Sequence, residues 1–231
     1  MTLALFFGAV TILTYISVNA GVFGIGSDRW KEEVLLHNGQ RIIVTRTVKR
    51  GGRHEIGQRP PYKEQKLSFT LPDTGASITW EDHFSKDLGM ANFLPMLLDI
   101  VAGTPYLVVS PMGCLSYNKW GRPNPPYVVF KYQQRGWIRI PLQELPNELT
   151  MPNVVVSSPD DVAKRTNGWV SSDEIKKANS GFKQPKYRTI LREPMAKERI
   201  DQMCIEMIHY KCGWISPHGT FGREFMDSIC K

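Results

Sequence analysis

Short runs of alternating apolar and polar residues, separated by turn residues, fill the chain from about Trp30 to Ser158. Val, Ile, Tyr, Phe and Trp are frequent in these runs, and alternation with a period of two places apolar side chains on one face of a strand. The composition, 42% hydrophobic and 22% charged, is typical of a chain with a packed core. The pattern predicts a mainly β fold, an antiparallel β meander that forms either a sandwich or a barrel.

Turn signals divide the predicted meander into four hairpins. The strongest signal is Asn38-Gly39, and the others are Asp73-Thr74-Gly75, Ala102-Gly103-Thr104 and residues 133–136. The predicted strand pairs are 34–37 with 41–48, 67–71 with 77–81, 96–101 with 106–110, and 127–132 with 137–140. A ninth short strand is predicted at 153–157. The antiparallel β domain is therefore expected to span residues 28–158.

The first 27 residues contain no charged side chain. As a helix, Thr2 to Ser27 would extend about 39 Å at 1.5 Å per residue, which exceeds the hydrocarbon core of a bilayer at about 30 Å. We expect residues 1–27 to form a single transmembrane helix that anchors the chain. A cleaved signal peptide is the main alternative, because Val18-Asn19-Ala20 offers small residues at the positions that a signal peptidase prefers. A buried core helix is a further alternative.

Three of the four cysteines lie in the last 28 residues, and the fourth is Cys114. An even number clustered at one end indicates disulfide bonding in an oxidising compartment, whereas reduced buried cysteines are the alternative. An amphipathic helix predicted from Pro194, and ended by Gly213, places Cys204 on its buried face. Because a final short helix would pack against it, Cys204 and Cys230 are the expected disulfide.

The final helix is predicted from the apolar stripe of Phe221, Phe225 and Ile229. A short polar helix, Asp173–Asn179, is predicted with Ser171 or Ser172 as its cap. These helices define an expected C-terminal cap over residues 159–231.

Two connections are too long and too distinctive for simple turns. Residues 49–63 contain five basic side chains and one acidic one, and residues 113–127 set aromatic side chains among basic residues and prolines. Exposed Arg and aromatic side chains in stiff loops are typical of interaction hot spots. Ordinary packing of these loops is the alternative. The predicted partner-binding residues are Arg50, Arg53, Arg59, Tyr117, Trp120 and Arg122.

No catalytic or cofactor motif is present in the sequence. Asp73-Thr74-Gly75 resembles the active-site triplet of aspartic proteases, but Pro72 replaces the apolar strand residue that precedes that triplet. The chain contains no C-x-x-C pair, P-loop or H-E-x-x-H, and His54 and His83 lack the spacing of metal ligands. We therefore expect no enzymatic activity, no cofactor and no metal. The net charge of +7 is not arranged along aromatic platforms, which argues against nucleic acid as a partner.

Two segments carry a resemblance to known proteins: WKEEVLLHNGQRIIVTRTVKRGGRHEIGQ and PMGCLSYNKWGRPNPPYVVFKY. They resemble a group of uncharacterised proteobacterial envelope proteins that combine a hydrophobic N-terminus with a β-rich body and the pattern W-x-E-E-V-x-L-x-D/N-G-x-x-I-x-V-x-R. The resemblance covers roughly Trp30 to Tyr132. It implies an envelope location and no assigned activity. It favours a periplasmic domain, although Arg29, Lys31 and further basic residues after the span would favour the cytoplasm by the positive-inside rule.

These observations predict a membrane-anchored, non-enzymatic interaction protein of the bacterial inner membrane, with its soluble domain in the periplasm. It would act as an accessory subunit and bind a protein partner in a larger membrane complex. The alternative is a binding module for an anionic envelope ligand, a polysaccharide or a lipid head group, held by Arg53, Arg59 and Lys119.

Overall fold

The computed structural model describes residues 27–230. Its strands are β1 (Asp28–Leu35), β2 (Arg41–Arg50), β3 (Tyr62–Thr70), β4 (Ser77–Asp82), β5 (Phe93–Val101), β6 (Thr104–Pro111), β7 (Val128–Gln133), β8 (Gly136–Ile140), β9 (Trp169–Val170), β10 (Ile208–Tyr210) and β11 (Gly213–Ile215). Its α-helices are α1 (Gly113–Lys119), α2 (Pro159–Arg165), α3 (Ser172–Ser180), α4 (Lys197–Met203) and α5 (Thr220–Ile229). The fold is mainly β, as predicted.

Two sheets form the body of the fold. One has five strands in the order β4-β3-β2-β1-β9, and the other has four in the order β5-β6-β7-β8. All pairs in them are antiparallel except β1 with β9, which is parallel. The four predicted hairpins are all confirmed. Because the two sheets are separate and share a core between their faces, the fold is a sandwich rather than a barrel.

Two of the hairpins close with two-residue turns. Ala102 and Gly103 have φ values of 48° and 75°, and Gln134 and Arg135 have values of 49° and 64°. Positive φ at both central residues is the conformation whose twist matches the flanking strands. These turns fix the register of β5 with β6 and of β7 with β8.

The alternating apolar residues meet between the two sheets. Val34, Val44 and Leu67 from the five-stranded sheet and Leu98 and Leu107 from the four-stranded sheet are all fully buried in one cluster. On β1, β2 and β3 the residues between them are more exposed, as the period of two predicts. On β5 and β6, by contrast, Leu97 and Val108 are buried in a second cluster on the other face of the sheet. β5 and β6 are therefore buried on both faces.

A buried ion pair interrupts the apolar inner face. Glu32 on β1 and Arg46 on β2 are 3.1 Å apart, and both side chains are almost fully buried. Glu32 also accepts hydrogen bonds from the Trp30 indole and from the backbone N–H of Val155. These bonds compensate for the loss of hydration of the carboxylate.

The strand predicted at 153–157 is wrong, although Val154, Val155 and Val156 are buried as expected. The backbone N–H of Val155 donates to Glu32, and that of Val156 donates to the side-chain oxygen of Asn179. Side-chain acceptors thus replace a neighbouring strand, and no ladder forms.

Residues 159–180, the first part of the predicted C-terminal cap, pack against the sandwich. β9 pairs with β1, and Val162, Val170 and Ile175 share a cluster with Trp30. The helix predicted at 173–179 is confirmed as α3, and the Ser171 hydroxyl accepts from the backbone N–H of Glu174. The domain boundary at residue 158 stays a prediction.

The predicted Cys204–Cys230 disulfide is wrong. Cys204 bonds to Cys114, and Cys212 bonds to Cys230. The helix predicted from Pro194 is shorter than its apolar pattern suggested, because α4 ends at Met203 and Cys204 is extended. A hairpin of β10 and β11 occupies the remainder, and Gly213 begins β11 rather than ending a helix. Cys204 therefore faces α1, which carries Cys114.

The predicted transmembrane anchor, residues 1–27, lies outside the described residues except for Ser27. Between residues 27 and 230, no helix is both long enough and apolar enough to cross a membrane.

Candidate binding sites

The first predicted binding loop, residues 49–63, is attached to α2 by its arginines. Asp160, whose side chain is fully buried, accepts from the Arg50 guanidinium at 3.0 Å, from Arg59 at 2.5 Å and from the Tyr62 hydroxyl at 2.6 Å. Arg59 also pairs with Asp161 at 2.7 Å. Two of the predicted docking arginines are therefore ion-paired within the fold.

The electrostatics of this cluster favour an ionised Asp160. Burial alone raises the pKa of this carboxyl, but the hydrogen bonds from Tyr62 and Arg50, and the charges of Arg50 and Arg59, outweigh it and hold the pKa below its ordinary value. The Arg50 guanidinium also lies 4.2 Å from the Tyr62 ring centroid. The cluster therefore joins the loop to α2 through hydrogen bonds and ion pairs.

Arg53 is exposed and, unlike Arg50 and Arg59, forms no ion pair with another described residue. Its backbone N–H donates to the carbonyl of Gly89 at 2.9 Å, which fixes the base of the loop. Ile56 is fully exposed. The partner-binding role of Arg53 stays a prediction.

The second predicted loop, residues 113–127, is also used for packing. The Tyr117 side chain is buried beside Ile200 and Cys204. The Trp120 ring lies 4.5 Å from the Phe93 ring, centroid to centroid, at the edge of the main core. These aromatic side chains attach α1 to the sandwich and to α4.

The basic residues of the same loop form ion pairs within the fold. Arg122 lies 3.2 Å from the carboxylate of Asp201 and donates to the carbonyl of Cys204 at 3.0 Å. Lys119 pairs with Asp87 at 2.7 Å. The structure therefore does not bring Arg53, Arg59 and Lys119 together as free cations for an anionic ligand, since Arg59 and Lys119 already have carboxylate partners.

Sequence reasoning missed a cavity of about 500 Å³ beside the turn that joins β1 and β2. His37 lies on it, with its Nδ1 2.7 Å from the buried carboxylate of Asp99, which also accepts from the backbone N–H groups of His37 and Ile100. An imidazole oriented by a carboxylate can act as a general base. However, the Ser172 hydroxyl at this cavity donates to Glu33 rather than to His37. The His37–Asp99 pair holds the turn against β5, and within residues 27–230 it has no hydroxyl hydrogen-bonded to it as a nucleophile.

The α5 helix exposes the apolar stripe that the sequence predicted as buried. Phe221, Phe225 and Ile229 have exposed fractions of 78%, 49% and 53%. An adjacent face of α5 contacts the β10–β11 hairpin, where Met226 approaches Gly213 and Gly222 approaches Ile215. We call the stripe of Phe221, Phe225 and Ile229 the α5 face.

The α5 face belongs to a C-terminal unit, residues 205–230, which is fixed to the sandwich. The Trp214 indole N–H donates to the carbonyl of Asp87 at 3.1 Å, and the Asn118 side chain bonds to the backbones of Ile205 and Met207. The Cys212–Cys230 bond closes the unit on itself. The α5 face is therefore held in place rather than left to collapse onto the core.

In the part of the chain that the structure describes, no group of three His, Cys, Asp or Glu side chains is placed to hold a metal ion. Comparisons with protein-family models, with curated proteins and with solved structures found no match to this chain.

Proposed function

We propose that this protein is a membrane-anchored, non-enzymatic interaction protein on the periplasmic side of a bacterial inner membrane. It would serve as an accessory subunit of a larger membrane complex, and the α5 face would dock into an apolar groove on a partner subunit. The observation that carries the proposal is the stripe of Phe221, Phe225 and Ile229, exposed on a helix that a disulfide braces.

The disulfides support an extracytoplasmic location. All four cysteines are paired in two bonds, and such bonds are typical of an oxidising, extracytoplasmic compartment. The uncharged N-terminal segment supports the anchor, because its length suffices to cross a bilayer. Attachment to the inner membrane and the periplasmic orientation are parts of the proposal.

The spacing of the stripe favours a groove as the docking surface. Residues 221, 225 and 229 recur every four positions, which is the arrangement of anchors by which an amphipathic helix lies in a hydrophobic groove. Large aromatic side chains dominate the binding energy of such interfaces. Each partner in a stable complex buries roughly 800 Å² of surface. Three side chains bury much less than that against a flat surface, so a flat contact between two copies of α5 would be weak.

The charge around α5 favours a protein over a lipid surface. The segment from Ile205 to the C-terminus contains three basic side chains, Lys211, Arg223 and Lys231, and three acidic ones, Glu206, Glu224 and Asp227. Helices that lie on anionic membranes combine an apolar face with an excess of Lys and Arg. That excess is missing here.

The test is co-purification of the full-length chain, tagged at its C-terminus through a flexible linker and extracted in mild detergent. We expect a defined set of membrane proteins in fixed stoichiometry, identified by mass spectrometry. Phe221→Ser combined with Phe225→Ser should reduce their recovery at least tenfold. The matched control is Ile138→Ser, which removes an exposed apolar side chain from β8 and should leave recovery unchanged.

Recovery of the chain alone would overturn the accessory role. Partners retained equally by the double variant would overturn the assignment of the α5 face. An association of the chain only with an untagged copy of itself would show that this face joins two copies, and would also contradict the proposal.

A further inference from the structure

A second cavity, of about 460 Å³, lies between the 3-10 turn Pro185–Tyr187 and α4. It shares no residue with the α5 face or with the loops predicted to bind a partner. Its lining includes Lys183, Lys186, Tyr187, Met195, Arg199 and Met203. We call it the Lys186 pocket. Its size is within the usual range of small-ligand sites.

The charged side chains that line the Lys186 pocket are all basic. Lys183, Lys186 and Arg199 line it, and no Asp or Glu does. Arg46 and Arg50, which also lie beside a core, each have a carboxylate partner, Glu32 and Asp160 respectively. Within residues 27–230, none of the three cations of this pocket lies within ion-pair distance of a carboxylate.

Lys186 is the most constrained of the three. Its side chain is half-buried, and its ammonium lies 2.6 Å from the thioether sulfur of Met203 and 4.8 Å from the Tyr187 ring centroid. A thioether is a weak hydrogen-bond acceptor, so this contact compensates poorly for lost hydration. Burial accordingly lowers the pKa of Lys186. An anion in the pocket would supply the missing partner.

The rest of the pocket is apolar and partly pre-organised. Leu191, Met195 and Met203 line it, and methionine side chains adapt to ligands of varied shape. The Tyr127 hydroxyl donates to the carbonyl of Lys186 at 2.7 Å and accepts from the backbone N–H of Leu191. The backbone that carries the cation is therefore fixed before a ligand arrives.

We propose that the Lys186 pocket binds an amphipathic organic anion, a carboxylate or a phosphate monoester joined to an alkyl chain. The ammonium of Lys186 pairs with the anionic group, assisted by Arg199, and the alkyl chain lies against Met195, Met203 and Leu191. A fatty acid and a phosphorylated lipid fragment share this chemistry. The site differs from the one predicted for an anionic envelope ligand, because Arg59 and Lys119 are already paired elsewhere.

The experiment measures acetylation of individual lysines in the full-length chain, held in nanodiscs, with a water-soluble acetylating reagent and mass spectrometry. Octanoate and octyl phosphate are the probes, and inorganic phosphate and octanol are the comparison compounds. Lys176, exposed on α3, is the internal control in every sample. We expect octanoate or octyl phosphate to protect Lys186 at least fivefold relative to Lys176. Preference for one of the two distinguishes a carboxylate ligand from a phosphate ligand.

Two variants test whether protection of Lys186 needs the arginine inside the pocket or any nearby arginine. Arg199→Gln should raise the probe concentration needed for half protection at least tenfold, because it removes a charge-assisted hydrogen bond to the anionic group. Arg188→Gln removes an exposed arginine outside the pocket and should leave that concentration unchanged.

Three results would overturn the proposal. The first is that neither octanoate nor octyl phosphate protects Lys186. The second is equal protection by inorganic phosphate, which would exclude the alkyl site, or by octanol, which would exclude the ion pair. The third is equal loss of protection in Arg188→Gln and Arg199→Gln. None of these results depends on the α5 face, so this proposal and the proposed function fail separately.

Discussion

The two disulfides offer a prediction in which the fold and the sequence positions together set the magnitude. Two variants are compared, Cys114→Ala with Cys204→Ala, and Cys212→Ala with Cys230→Ala. The first bond joins α1 to the end of α4, whereas the second lies within the C-terminal unit. Their removal should therefore affect different parts of the molecule.

The bonded cysteines are 90 residues apart in the first pair and 18 in the second. In the chain-entropy account, closing a loop of about 90 residues stabilises the folded state by about 4.6 kcal/mol at 25 °C, and a loop of about 18 residues contributes about 3.2 kcal/mol. We expect the first variant to lose about 1.4 kcal/mol more of the free energy of unfolding than the second. The second should also increase hydrogen exchange in α5 while leaving the sandwich strands protected.

The assay begins with peptide mapping under non-reducing conditions, which should recover Cys114 linked to Cys204 and Cys212 linked to Cys230. Urea unfolding of the full-length chain in non-ionic detergent, followed by tryptophan fluorescence, then gives the free energies. A peptide linking Cys204 to Cys230 would refute the pairing. A larger loss in the second variant than in the first would refute the loop-length reasoning.

Three further predictions concern the core and the first loop. Asp160→Asn should remove part of the acid sensitivity of unfolding, which urea unfolding between pH 6 and pH 3 would measure. The pKa of Asp160 is lowered in the folded protein, so its carboxylate contributes stability that is present above about pH 4 and is lost as the pH falls through the folded-state pKa. Glu32→Leu should lose roughly 3–5 kcal/mol of unfolding free energy because it leaves Arg46 buried without its carboxylate, whereas Glu32→Leu with Arg46→Met should lose distinctly less; equal losses would contradict this account. Gly52→Ala should displace the loop and expose the Arg53 N–H to hydrogen exchange, since φ is +94° at Gly52 and an added Cβ would overlap the Gly89 carbonyl; unchanged exchange would count against it.

Hairpins were predictable because their determinants are local. Gly39 and Gly103 have the backbone freedom that tight turns require, and the flanking residues alternate with a period of two. The helix α3 was predictable for the same reason, since Ser171 caps it within three residues. Each of these signals acts over fewer than ten residues.

The binding loops show where local reasoning ends. Basic and aromatic residues in Pro-rich loops resemble a docking surface, yet Arg50 and Arg59 meet Asp160 on a helix about 100 residues later. Nothing near Arg50 in the sequence announces that partner. The same holds for Lys186, whose polar sequence neighbours are those of an ordinary surface lysine, although its side chain lies half-buried beside Met203.

The α5 stripe illustrates a different limit. Periodicity correctly identified a helix with Phe221, Phe225 and Ile229 on one side. Periodicity also assigned that side to the core. Gly222, which lacks a side chain, and the flexible Met226 side chain fit closely against the β10–β11 hairpin, so the stripe faces outwards.

The sequence by itself determined the mainly β class, the four hairpins, α3 and α5, because short-range backbone preferences and alternation decide these elements. Only the tertiary structure decided which cysteines pair, which cations have a carboxylate and which apolar face stays exposed. Those outcomes depend on contacts between residues such as Cys114 and Cys204, 90 positions apart, whose distance in space no local pattern encodes. The proposed sites, the α5 face and the Lys186 pocket, both belong to this second group.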